Sequence, residues 1–581
     1  MKRILLWTLT VAMVFGVTRV SPAQKKDLKQ FVTVSFAGYD ELMKAAATIG
    51  NLAGMPGLPK MAEMNLQGMG AADALTTLDK KQPWVVLGKI DEAGSEFAVQ
   101  AFLPTSDVKK LVKALPMLGE PGDAGDGVLE INTPARRLYV KQHGAWAVLS
   151  DNKLLVLDAT EDPVKSLGGM HEKYLLGVNF SVKSIPEAVR AKFLEGMTGA
   201  MQMGLQKLPD ESDEQFAARS KMLQQAIQQV KTTIGDLDAL TLGIKVDEAT
   251  SSAYLEYAMT VLPGSASAKK LAKAGAARTE FAGVLLPDAA ATIHATQQLD
   301  PADIEQLKAN LAVLRTNAMA ALEKEGLTEE QLKQAKQLAG DLMDVVDKTL
   351  AGGTMDFAAA LKLAPKALTA VAGARIAEGT KLQSALKQLV EQVAKDEPEA
   401  AKLVKLDAEQ HEGVHFHVVS VPLSMIDEDV PEKLGPLVGE TFDVVIGIGD
   451  TSLYLAAGRD ASKTLKKAID GSKAGGGKSL PPVQFSVAAG AIARFVAAVA
   501  EGEEKQPAEM VAKILEGSEG KDHVRLAAAP VPNGMKIRLT AEEGVLKALG
   551  IIPMMAGGPG MMAPPGAKVR TPKKAAKSAD E

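Results

Sequence analysis

Val178-Asn179-Phe180-Ser181-Val182 in the first half of the chain is answered by Val483-Gln484-Phe485-Ser486-Val487 in the second. Each run alternates apolar with polar residues and is rich in β-branched and aromatic types, so each predicts a short strand. Upstream of the first run lie Trp146-Ala147-Val148-Leu149 and Leu155-Val156-Leu157, which read as a strand pair. Before them, Glu96-Phe97-Ala98-Val99 leads to a helix at Ser106-Asp107-Val108-Lys109-Lys110-Leu111. Upstream of the second run lie Val444-Val445-Ile446 and Leu453-Tyr454-Leu455. The chain therefore reads as two copies of one module. Val32-Thr33-Val34-Ser35-Phe36 and Ala291-Thr292-Ile293-His294-Ala295 open in the same way, which makes four units. The fold expected is α+β with two pseudo-symmetric halves. Each half holds two strand–helical hairpin–strand pair–helix units and an inserted strand pair, near residues 137–158 and 441–457.

Helix signals punctuate these units. Asp300-Pro301 sets an acidic N-cap before a proline in the first turn, and Ser184 with Pro186 is similar. Ser212 with Gln215 and Thr328 with Gln331 have capping-box spacing at matching places. Gly326 is placed to end the helix before the second pair. From Gln331 to Leu350 apolar residues keep to one stripe, as in a helix that buries one side against a sheet. Trp84-Val85-Val86-Leu87 with Phe97-Ala98-Val99 reads as a strand pair, with a turn at Asp91 to Gly94. Leu240-Thr241-Leu242-Gly243-Ile244 with Ala253-Tyr254-Leu255 reads as another. Gly471 to Lys478 reads as a flexible loop. The boundaries expected are a leader at 1–23, a first half at 24–280, a second at 281–556 and a disordered basic tail at 557–581. The tail reads as solubilising, with weak attachment to an anionic surface as the sharper alternative.

The leader has the order of a secretory signal: Lys2 and Arg3, an apolar run from Ile4 to Val14, then Ser21-Pro22-Ala23. Cleavage after Ala23 is expected, with an uncleaved anchor as the alternative. No other stretch approaches ~20 apolar residues, so no transmembrane segment is expected in the mature chain. There is no cysteine among 581 residues, which excludes disulfides, thiolate metal sites and a cysteine nucleophile. A net charge of −5 without a basic footprint argues against nucleic acid as a partner. Periplasmic or extracellular placement fits best.

Several motifs tempt toward catalysis. His411-Glu412-Gly413-Val414-His415 matches the H-E-x-x-H of zinc proteases, whose chemistry needs a helix that points both histidines at one metal. Here Gly413 interrupts the motif and Phe416 to Val421 reads as a strand. Glu412-Gly413-Val414 also aligns with Asp126-Gly127-Val128, a turn entering a strand. A weaker metal reading keeps His411, His415 and His417 as three imidazoles near one another. Ser106 to Lys109 matches S-x-x-K and Ser150-Asp151-Asn152 matches S-D-N, but the K-T-G of those acyl-enzymes is missing. Ser106 instead reads as a helix N-cap, and Ser150 to Lys153 as a hairpin turn matched by Gly449-Asp450. Gly447-Ile448-Gly449 runs from strand to strand, so it reads as a hairpin turn and not a dinucleotide loop. Gly477-Lys478-Ser479 has the wrong spacing for a phosphate loop. The carboxylate pairs Asp210-Glu211 and Glu503-Glu504 lie in polar connections, where nothing sets them across a cleft. Met197, Met201 and Met203 read as packing of a helical hairpin, or as a surface for an apolar ligand.

The leader, the cysteine-free chain, the short β openings and the helix start Asp107-Val108-Lys109-Lys110-Leu111 together resemble uncharacterised secreted bacterial proteins built from tandem β/α modules, a domain of unknown function. That resemblance implies no catalytic residues and no cofactor. The function expected is an exported, non-enzymatic binding or scaffold protein of the cell envelope. Its partner would be an envelope protein, a polymer or an apolar ligand. Two alternatives stand beside it: a carrier of an apolar small molecule or lipid, and a metal-dependent hydrolase using His411, His415 and His417.

Overall fold

The β-rich openings become strands of a single sheet. The computed structural model describes residues 27–556, apart from 69–71, 116–119, 134–136, 160–161, 204, 208–210, 277, 426–434, 476–479, 501 and 519. The leader, the tail and Gly477-Lys478-Ser479 lie outside the described residues. The first unit supplies β1 (Lys29–Phe36), β2 (Trp84–Ile90) and β3 (Phe97–Pro104), followed by β4 (Gly122–Asp123), β5 (Leu129–Asn132), β6 (Arg137–His143) and β7 (Trp146–Ser150). The second unit supplies β8 (Leu176–Ser181), β9 (Leu237–Asp247) and β10 (Ser252–Val261). Then come β11 (Ala291–Gln298), β12 (Thr354–Ala364) and β13 (Ala367–Arg375), followed by β14 (Val404–His411), β15 (Val414–Pro422), β16 (Thr441–Ile448) and β17 (Ser452–Gly458). The last are β18 (Val483–Ala488), β19 (His523–Val531) and β20 (Gly534–Ala541). With helices between and after these strands, the chain is α+β.

Every pairing is antiparallel. The order is β4-β5-β6-β7-β3-β2-β1-β8-β9-β10, then β20-β19-β18-β11-β12-β13-β17-β16-β15-β14. Counted inward from either edge, strands appear in the same succession. The two runs of ten join where β10 pairs β20, from Ala253↔Ala541 to Thr260↔Gly534. Both free edges are poor templates for further pairing. β4 is two residues long, and β14 carries Lys405, Asp407 and Glu409 with an irregular register between Lys405 and Glu409.

Helices cover parts of both faces. Helix Tyr39–Leu52 and its successors pack Tyr39 and Leu75 on Val34, Phe36, Trp84 and Val86. Helix Val108–Lys113 buries Val108, Leu111 and Val112 against Ile131, Val140 and Ala147. On the other face of the second half, helix Ala461–Ala474 sets Leu465, Ala468 and Ile469 against Val371, Phe416 and Val445, with Phe281 and Val284 wedged alongside. Gly471 belongs to this helix and not to a flexible loop. The segment at Gly283 comes so close that a Cβ on Gly471 would stand 3.1 Å from the Gly283 Cα, and Gly283 donates its N–H to Ser472 Oγ.

Other local readings change too. Leu155-Val156-Leu157 lies in helix Lys153–Leu157, because Asn152 accepts the Leu154 N–H as an N-cap and β6, not this run, pairs with β7. Ser150 therefore ends a strand that runs into a helix, whereas Gly449-Asp450 joins two strands. The N-cap of helix Val108–Lys113 is Asp107, which accepts the Lys110 N–H, and not Ser106. Each inserted segment carries four strands where a pair was expected. The Thr328–Gln331 capping box is present at helix Glu329–Ala351.

Candidate functional site

Strand alternation puts one side chain in two on each face, and in the middle of this sheet the apolar set is the exposed one. A single transverse row runs through Ile244, Leu255, Leu539, Leu526 and Phe485, on β9, β10, β20, β19 and β18. It continues through Ile293, Ala359, Ala372, Leu455 and Ile446, on β11, β12, β13, β17 and β16. Nine inter-strand steps make the row roughly 43 Å long. Leu539 is 41% exposed and Leu455 is 43% exposed. The next row, on the opposite face, includes Glu256, His294 and Tyr454, which are 6%, 0% and 6% exposed. Tyr257, Ile537 and Val483 extend the open apolar surface on a flanking row.

The residues over β11 to β17 shape this surface into a trough of about 490 Å³. Small side chains, Ala291, Ala359, Ala370 and Ala372, make its floor; Phe485 and Ile293 rise on one side and Leu455 on the other. No charged side chain lines it. Beside it, two residues along β16 from the lining residue Val444, Phe442 packs with Leu437, Val438 and Phe495 of helix Ala489–Val499. The strands beneath are fully paired with their neighbours, so the floor presents little unsatisfied backbone. This is a surface for hydrocarbon, and its volume lies within the usual range of ligand pockets, about 300–1,000 Å³.

The three histidines do not meet at one point: His415 and His417 share Asp407 on one face of the hairpin, and His411 is on the other. H-E-x-x-H lies on the β14–β15 hairpin, with Glu412 and Gly413 at φ 54° and 82°. Asp126 and Gly127 have φ 58° and 73° before β5, so the two turns share one left-handed geometry. His411 pairs with Val414 and sits beside Phe416, on the face opposite His415 and His417, and binds Asp470 at 2.7 Å. His415 stands 3.3 Å from Asp407. The Asp407 backbone N–H donates to His417 Nδ1 at 3.1 Å. A nitrogen that accepts carries no proton, so neutral His417 holds its proton on Nε2 and offers no lone pair there. A metal-bound imidazole has the reverse arrangement, with its other nitrogen donating. Among the described residues no group of three or more histidines and carboxylates is arranged to hold a metal. Burial lowers the pKa of His417, against the opposing pull of Asp407, and burial alone lowers that of His294.

The remaining tempting motifs have structural roles. Ser150 Oγ is buried and donates to the Val99 carbonyl, and Lys109 is exposed. Glu211 pairs with Arg219. Met203 is 70% exposed at the end of helix Glu187–Met203, whereas Met197 and Met201 are half-buried. The open row itself was not singled out from sequence. Its signal is present in Leu255-Glu256-Tyr257 and Ile537-Arg538-Leu539, where one charge is enclosed by apolar residues, but a strand does not declare which of its faces is covered. Comparison with protein-family models, curated proteins and solved structures finds no match.

Proposed function

We propose that this chain is an exported, non-enzymatic binding protein of the bacterial cell envelope that carries the acyl chain of a lipid in the alanine-floored trough. The observation that supports this reading is the open apolar row itself: it runs over ten consecutive strands, and on β10, β11 and β18 the opposite face buries the polar side chains of Glu256, His294, Thr296 and Ser486. That pattern belongs to sheets that face hydrocarbon. Contiguous apolar patches beyond roughly 300–600 Å² are rare on monomers without such a purpose. A peptide partner would have to satisfy its own backbone, for which this lining has no donors. An acyl chain has no such need. The small alanine floor between Phe485 and Ile293 on one side and Leu455 on the other favours a single recessed chain over a flat bilayer.

Titration of the full mature chain with the linear fluorescent fatty acid cis-parinaric acid tests this. Saturable binding is expected, and Ala372→Phe, which fills the floor, should weaken it about tenfold or more with little change in melting temperature. No binding by the wild type, or equal binding by A372F, would sink the proposal. Binding to phosphatidylcholine vesicles without uptake of the free fatty acid would replace it with bilayer docking. A dimer abolished by Leu539→Asp would replace it with sheet-on-sheet docking of two copies.

A further inference from the structure

Where the two halves meet, the polar face of the same strands forms a cleft of about 740 Å³. Its floor is the transverse row Thr33, Asn179, Thr241, Ala258 and Lys536, on β1, β8, β9, β10 and β20. One wall is Tyr174, whose ring packs on Gly243 so tightly that a Cβ there would stand 2.3 Å from it. The Tyr174 hydroxyl donates to Glu256 Oε1 at 2.7 Å, and Arg538 Nε donates to Glu256 Oε2 at 2.8 Å. The Arg538 guanidinium also lies 4.2 Å from the centre of the Tyr254 ring. Burial alone would raise the Glu256 carboxyl; the hydrogen bonds of Tyr174 and Arg538 and the charges of Arg538 and Lys536 hold it below its ordinary value.

Arg538 thus satisfies Glu256 before Lys536 is counted. The Lys536 ammonium stands 3.5 Å from the same carboxylate and reaches it only as a second cation. Lys245 belongs to the lining as well, 3.3 Å from the Glu172 carbonyl, and so does Lys173. Four cationic residues line the cleft against two acidic ones, Glu172 and Glu256. The Asn179 amide donates to Thr241 Oγ1 at 2.8 Å, which leaves the Thr241 hydroxyl to donate onward and Asn179 Oδ1 to accept. Surplus positive charge therefore stands beside a row of neutral hydrogen-bonding groups, in a cleft built from both halves, where ligand sites commonly form.

We propose that this cleft binds a small hydroxyl-bearing anion, a sugar acid or sugar phosphate, with Lys536 taking the charge and Asn179 and Thr241, on the same transverse row, meeting hydroxyls. The site lies on the face opposite the trough, so neither proposal depends on the other. Isothermal titration calorimetry of the full mature chain with glucuronate, glucose 6-phosphate and uncharged glucose tests it. One or both anions should bind at millimolar concentration or below and glucose should not; the stronger anion identifies the carboxylate or the phosphate as the recognised group. Lys536→Ala should cut affinity about tenfold or more, the loss of one charge-assisted contact. Lys536→Arg, which keeps the charge, should stay near wild type and guards against a misfolded alanine variant. No heat from either anion, equal binding of glucose, or unchanged affinity in K536A would overturn the assignment.

Discussion

Trp84, Phe36 and Leu176 begin the same transverse row that continues through Ile244 and Leu539 to Leu455. At its start Trp84 and Phe36 are 6% and 5% exposed; from Ile244 onward most of the large side chains, Leu526 and Ile446 excepted, stand about 40% open. The residue types do not differ in kind. The difference lies in the segments between strands. Helix Tyr39–Leu52 and its successors fold back over β1 to β3 and bring Tyr39 and Leu75 onto the row. Helix Pro301–Leu322 buries none of its residues, and helix Glu187–Met203 buries only Thr198. An apolar stripe on a strand is therefore a demand for cover, and the connecting helices decide whether the chain meets that demand itself.

The sharpest way to break this contrast is a pair of truncations. Trp84→Ala should cost about 3–5 kcal/mol, as a fully covered aromatic does. Leu539→Ala, in the open part, should cost roughly 1 kcal/mol, in proportion to the smaller apolar area it loses. Urea denaturation of the two variants measures both. Equal costs would mean that something in solution covers the central row as completely as helices cover the first.

The buried polar row offers a second test. Glu256→Ala leaves Arg538 and the Tyr174 hydroxyl without their shared partner, and should cost about 3 kcal/mol. Glu256→Met together with Arg538→Met should recover more than half of that, because the row needs no charge once neither member is left alone. If the double variant is worse than E256A, the ion pair is required for the joint between β10 and β20 and the two faces are not energetically separable.

Acid should act through two buried imidazoles. His294 is 0% exposed on β11 with neither ring nitrogen partnered among the described residues, and His417 is 0% exposed on β15; burial holds both below the ordinary imidazole value. As pH falls below about 6.5 the unfolded chain takes up these protons first, so stability is full above that point and declines below it. The decline is up to about 1.4 kcal/mol per pH unit for each ring and ends once the folded groups titrate. Glu256, held low, adds its own loss only below its ordinary carboxylate range. Denaturant midpoints between pH 8 and 5 should fall, and His294→Leu should flatten that fall. An unchanged slope in H294L would show that this ring is not buried neutral.

Much of this architecture was legible. The four openings, their helical hairpins and strand pairs follow from alternation, N-cap residues and turn chemistry, all of them local. The left-handed turn shared by Asp126-Gly127 and Glu412-Gly413 was readable because a Gly enters a strand in both places. What failed was short or non-local. Leu155-Val156-Leu157 is apolar enough for either structure, and Asn152 decides it by capping. Gly471 looked like a linker because the residue that requires its missing side chain, Gly283, is far away in sequence. The row from Ile244 to Ile446 depends on pairings among strands scattered across both halves, and Glu256 meets Arg538 across most of the second half.

The smallest expected effect probes the connecting helices themselves. Thr328→Ala removes the capping box of helix Glu329–Ala351, and Asp107→Ala removes the N-cap of helix Val108–Lys113; each cap is worth about 1 kcal/mol to its own helix. Their consequences should differ, because Val108, Leu111 and Val112 belong to a core with Ile131 and Val140, whereas only Gly340 and Val345 of the longer helix are buried. Asp107→Ala should therefore lower the global melting temperature. Thr328→Ala should appear chiefly as faster amide exchange over the first turns after Thr328, since loosely attached elements open by themselves. Equal global shifts would show that the 301–351 hairpin is coupled to the sheet after all, and that the open apolar row has cover in solution that its helices supply.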